Sequence, residues 1–161
     1  MKNHLGTAVL LAIISSAAWA GSPHFVRGPT GSLDNSGNYV VSFKEAGLGN
    51  SPITYSLTVQ DGDFTFQCYN PANNTPQGDP NGVSISNATV HTTITPRNGQ
   101  ITGSITMSPT TGGAQCQGRA MKLCLVAVSY SGVQFKDETT PVGPFNMPSL
   151  SMTLRNPICD F

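Results

Sequence analysis

No segment of this chain sustains an apolar period near 3.6 residues. That absence constrains the fold more than any motif, because a helix buries itself along a stripe of that period. What recurs is a short run rich in β-branched and aromatic residues, closed by Gly, Pro, Asn or Asp. "NYVVSF" (38–43), "ITYSLTVQ" (53–60), "DFTFQCY" (63–69), "TVHTTITP" (89–96), "QITGSITMS" (100–108) and "KLCLVAVSY" (122–130) are such runs, and "GVQFKD" and "LSMTLR" extend the series. Alternation marks a half-buried strand, while the nearly continuous apolar run at 122–130 predicts a central strand covered on both faces. Asp61-Gly62 and Asn98-Gly99 lie between runs, where such pairs favour two-residue hairpin turns because both central positions tolerate positive φ. About seven to nine strands at this spacing predict an all-β, antiparallel, immunoglobulin-like sandwich.

The first twenty residues, "MKNHLGTAVLLAIISSAAWA", differ in kind: one cation at Lys2, an apolar run and a close on Ala18-Trp19-Ala20. This is the pattern of a cleaved secretory signal, and its apolar run is too short for the ~20 residues that span a bilayer. The expected division is a signal peptide at 1–20 and one sandwich domain at 21–161, secreted to the extracellular space or a periplasm, with no membrane anchor left after cleavage. Loss of Lys2 and His4 leaves seven basic and eight acidic residues, with His24 and His91. That near-neutral balance without a basic cluster excludes nucleic acid, since phosphate binding gathers several Lys or Arg on one face. About 140 residues suffice to bury roughly two thirds of the unfolded chain's surface.

Four cysteines in an exported chain, Cys68, Cys116, Cys124 and Cys159, predict two disulfides out of three connectivities. Cys68 closes a strand before a long loop and Cys116 precedes the next strand, so both belong near one end; Cys124 lies in that strand, and Cys159 is in the tail. The expected pairing is therefore Cys68 with Cys116 and Cys124 with Cys159. Loop-closure entropy favours these long loops weakly, at about 4 kcal/mol each against about 2.5 for Cys116 with Cys124. Zinc spacing is absent, because there is no CxxC and neither remaining histidine lies nearby.

Catalytic chemistry finds little purchase. No GxSxG surrounds a serine, His24 is close to the new terminus, and His91 falls on an outward polar face. The close carboxylate pairs are Asp61 with Asp63 and Asp137 with Glu138, placed where turn chemistry puts acids anyway. The turns "DGD" and Asp79-Pro80-Asn81-Gly82 offer oxygens to calcium without the full calcium-loop spacing. No catalytic residue, metal or cofactor is therefore assigned. Phe43, Phe64, Phe66 and Tyr130 read as core.

The irregular stretches are 28–37, 71–87, 110–121 and 139–148. The longest, "PANNTPQGDPNGVSISN" (71–87), carries three prolines and two glycines and is the expected binding loop, with Tyr69, Asn73, Asn74, Asp79 and Asn81 as its contact residues. Asn73-Asn74-Thr75 and Asn87-Ala88-Thr89 also match the glycosylation sequon. The expected partner is an extracellular protein or glycan. The alternative is a small hydrolase or inhibitor acting on extracellular polymers, which requires acids such as Asp61, Asp63 and Asp79 to meet in one cleft.

"FQCYNPANNTPQG", "TPRNGQITGSITMSP", Cys116-Gln117-Gly118 and "VSYSGVQFKDET" together resemble a group of small, mostly bacterial secreted proteins of uncharacterised function. The resemblance covers about 22–140 and implies a β-sandwich in which the pair matching Cys68 and Cys116 recurs. It implies no active-site residue.

Overall fold

A computed structural model describes residues 21–118 and 120–159. The signal reading of 1–20 lies outside the described residues, as does Arg119. In chain order the strands are β1 (His24–Leu33), β2 (Tyr39–Ala46), β3 (Ile53–Asn70), β4 (Thr75–Ile94), β5 (Gln100–Met107), β6 (Lys122–Asp137), β7 (Phe145–Asn146) and β8 (Leu150–Ile158). Every pairing is antiparallel. One sheet has the order β1-β2-β5; the other has β4-β3-β6, with β7 and β8 both pairing β6.

Strand alternation builds the core. Tyr39, Val41 and Phe43 of β2 and Ile101, Ile105 and Met107 of β5 point inward, as do Tyr55, Leu57, Val59, Phe64 and Phe66 of β3 and Val128, Tyr130, Val133 and Phe135 of β6. The two inner faces thus share one core, as a sandwich requires. Phe43 packs on Tyr55 at 4.4 Å and on Phe135 at 4.8 Å between ring centroids, and Phe25 closes on Phe145 at 5.1 Å. Tyr39 and Tyr130 donate their hydroxyls to the carbonyls of Pro148 (2.7 Å) and Gly37 (2.8 Å), and burial pushes the Tyr39 phenol up to about 12.

The disulfides join Cys68 to Cys116 and Cys124 to Cys159, the expected connectivity. Paired cysteines belong to oxidising compartments, extracellular or periplasmic. Among the described residues no helix is long and apolar enough to cross a membrane.

Several expectations are corrected. Asp61-Gly62 is not a turn: Asp61 pairs with Ser86 and Ser131, and β3 runs through it as one strand of 18 residues. Inward positions step by two from Ile53 to Val59, then resume at Gly62, Phe64 and Phe66. The slip runs across three neighbouring strands with the pairing register unbroken. Gln60 stands between Asn87 (φ 50°) on β4 and Gly132 (φ 59°) on β6, and the inner phase shifts there on all three. Each strand passes over one residue in its alternation at the same level, so all three kink together and the apolar rows return to the core face. The runs at 122–130 and 132–137 are likewise one strand, bent at Gly132. Its centre is flanked by β3 and β8, but Ala127 and Ser129 on the outer face stay half-exposed, so it is not covered on both faces.

Asn98-Gly99 does form the tight turn, with φ 51° and 70° and an Arg97–Gln100 bridge, but its flanking strands β4 and β5 enter different sheets. Most of 71–87 is strand, because β4 is an edge strand and its prolines need no ladder partner on the open side. Likewise 28–33 belongs to β1 and 145–146 to β7, while 110–118 and 120–121 stay irregular.

Candidate functional site

The β3 and β4 strands are longer than any strand of the three-stranded sheet, and towards their hairpin tip the polar groups are satisfied locally. At the tip, Asn70 Oδ1 accepts from the Ala72 amide (2.9 Å), and Asn73 Oδ1 accepts from the Thr75 amide (3.3 Å) and hydroxyl (2.7 Å). Asn74 takes the left-handed conformation at φ 52° that Asn tolerates. Between Phe66–Asn81 and Cys68–Gln77 the register breaks, leaving 78–80 opposite Gln67. Gln67, only 7% exposed, donates its Nε2 to the carbonyls of Gln77 (2.9 Å) and Gly78 (3.0 Å). One buried carboxamide therefore fixes the shape of the bulge.

The Cys68–Cys116 bridge draws the irregular stretch around Cys116 against this bulge. A groove of about 420 Å³ opens between them, lined by Cys68, Gln77, Gly78, Asp79, Asn81, Gln115, Gln117 and Met121. Each carboxamide presents two donors and an acceptor, and Asp79 adds acceptors. Such a lining can trade hydrogen bonds with a hydroxyl-rich or amide-rich ligand; it offers no nucleophile beside a base.

Of the expected contact residues, Asp79 and Asn81 line the groove. Tyr69 does not: it neighbours Cys68 on a strand, where successive side chains face opposite ways, and it is half-buried opposite Pro76 and Lys122. Asn73 and Asn74 sit exposed at the hairpin tip. Gln77, Gln115 and Gln117 escaped the sequence reading, although their clustering around two cysteines was a visible signal.

The candidate acids do not converge. Asp63 accepts from the Ser84 hydroxyl at 2.6 Å and borders a separate depression with Thr65, Ser129, Ser151 and Thr153. Asp61 is exposed on β3, and Asp79 is in the groove. Among the described residues no three His, Cys, Asp or Glu gather to hold a metal ion. Asp137 and Glu138 part company as well. Asp137 is fully buried, whereas Glu138 accepts from the Ser56 hydroxyl (2.6 Å) and pairs with Lys136 (2.6 Å). His91 lies opposite Ser56 in register, but Ser56 donates to Glu138, whose carboxyl is held below its usual range by Lys136 and then by Ser56. An acid so stabilised in its charged form is a weak base.

Comparison with protein-family models, curated proteins and solved structures found no match.

Proposed function

We propose that this is a secreted, non-enzymatic β-sandwich protein that binds an extracellular glycan through the carboxamide groove beside Cys68–Cys116. The observation that carries this is the convergence of Gln77, Asp79, Asn81, Gln115 and Gln117 on one concavity whose walls are braced by a disulfide and by Gln67. Rigid walls lower the ordering cost of binding, and polar side chains around a concavity suit sugar hydroxyls better than an apolar ligand. The dispersal of Asp61, Asp63 and Asp79 speaks against the hydrolase alternative.

The strand order supports an immunoglobulin-like assignment. First, second and fifth strands share one sheet, while the third, sixth and last share the other, with the fourth beside the third. The two disulfides and the leader-like first twenty residues support export, in keeping with the group of small, mostly bacterial secreted proteins that the chain resembles.

A glycan array probed with the protein, set against an Asp79→Ala/Asn81→Ala/Gln117→Ala variant, tests the reading. The expected result is binding to a defined set of glycans that the variant loses at least tenfold, about 1.4 kcal/mol. Unchanged binding by the variant, or capture of a peptide ligand instead, overturns it. Deleting 71–87 would be a poor test, since it strips β3 of half its β4 partner.

A further inference from the structure

Two carboxyl groups from opposite sheets meet at the end of the sandwich away from the disulfides. Glu45 of β2 and Asp137 at the end of β6 are both 0% exposed, and Tyr55, which donates to Glu45, is the residue opposite Asp137 in register, so the two carboxyls come together in the same buried corner. Their surroundings differ. Asp137 accepts from the amides of Thr139 (2.7 Å) and Thr140 (3.0 Å) on one oxygen and from the Thr140 hydroxyl on the other. Glu45 Oε2 accepts from the Tyr55 hydroxyl at 2.7 Å, while Oε1 is buried and meets no donor.

Two ionised carboxylates cannot donate to one another, and side by side out of water they repel. A single proton resolves both difficulties. Asp137 already accepts from three donors whereas Glu45 Oε1 meets none, so the proton belongs on Glu45, where Oε1 becomes the donor. We infer that one proton, carried by Glu45 and donated to Asp137, clasps the two sheets together at this end, and that losing it loosens their closure.

The groups facing Glu45 bear this out. From β3 comes Tyr55, from β6 Asp137, and from β1 His24, whose Nδ1 donates to the Ser22 carbonyl (2.8 Å); β5 offers the apolar Ile101 in register. Burial raises the Glu45 carboxyl above its ordinary 4.5, the Tyr55 hydrogen bond opposes this, Asp137 adds to it, and His24 opposes weakly. With the folded value raised, the stabilisation is complete below the unfolded value near 4.5 and is lost as pH rises towards and through the folded value.

Urea titrations of wild type and Glu45→Gln across this range test the clasp, since a glutamine amide donates to Asp137 and accepts from Tyr55 without titrating. Relative to that variant, the wild-type folding constant should fall about tenfold per pH unit above the ordinary glutamate range, the slope of a one-proton linkage. Running both in a His24→Gln background takes the neighbouring imidazole out of the comparison. Infrared spectroscopy of the wild type needs no variant: a protonated-carboxyl band should persist at a pH where exposed carboxyls have ionised. Parallel stability curves for wild type and Glu45→Gln, or a folded wild type without that band, would overturn the clasp.

Discussion

The two ends of this sandwich are fastened by different chemistry. At the Tyr55 end, Phe25, Phe43, Phe135 and Phe145 fill the space between the sheets, and the polar groups trapped among them must find partners there. At the Cys68 end, β3 and β4 run on into a polar hairpin tip, and two cross-links fasten the chain there. Apolar packing excludes water and makes a buried acid hold its proton. Covalent bracing tolerates water and leaves carboxamides free to meet a ligand. The candidate site therefore lies beside a cross-link and away from the aromatic cluster.

The largest way to break the comparison is to cut the sulfur links. Cys68→Ser/Cys116→Ser and Cys124→Ser/Cys159→Ser should each lower stability by about 4 kcal/mol in denaturant titrations, from loop closures of 48 and 35 residues. Only the first should also abolish glycan binding at temperatures where the protein stays folded, because only that bridge borders the groove.

Gly132→Ala comes next, at the kink between the ends. Its φ of 59° suits glycine, and an added Cβ would come within 2.6 Å of the Gln60 Cβ, so a loss of about 3 kcal/mol in a urea titration is expected. Gln67→Leu frees the carbonyls of Gln77 and Gly78; about 2 kcal/mol of stability and faster hydrogen exchange across 77–82 should follow, with weaker binding. Smallest is Tyr55→Phe, which removes the donor to Glu45 Oε2 and should cost about 1 kcal/mol while leaving the groove's affinity unchanged. A binding defect in Tyr55→Phe would show that the ends are coupled.

Legibility in the sequence followed the range of the forces involved. The inward row Tyr39, Val41, Phe43 could be read from alternation alone, and the same alternation carried on to Glu45, which was the overlooked sign of a buried acid. Asp61-Gly62 misled because a slip of one residue in apolar phase looks alike whether the chain reverses or kinks. Asn87 and Gly132, far away in sequence, decide for the kink. The prolines at 76 and 80 suggested a loop, since a strand's position at an edge is a property of the whole sheet.

By itself the sequence determined an all-β chain without helical period, the tight turn at Asn98-Gly99 and the four cysteines of an oxidised protein, because these rest on local backbone preference and composition. Only the tertiary structure decided that β4 and β5 part into different sheets, that Gln115 and Gln117 reach Asp79, and that Glu45 meets Asp137. Each of these joins residues distant along the chain, and such meetings are fixed by how two twisted sheets close over a shared core, which no local stretch of sequence encodes.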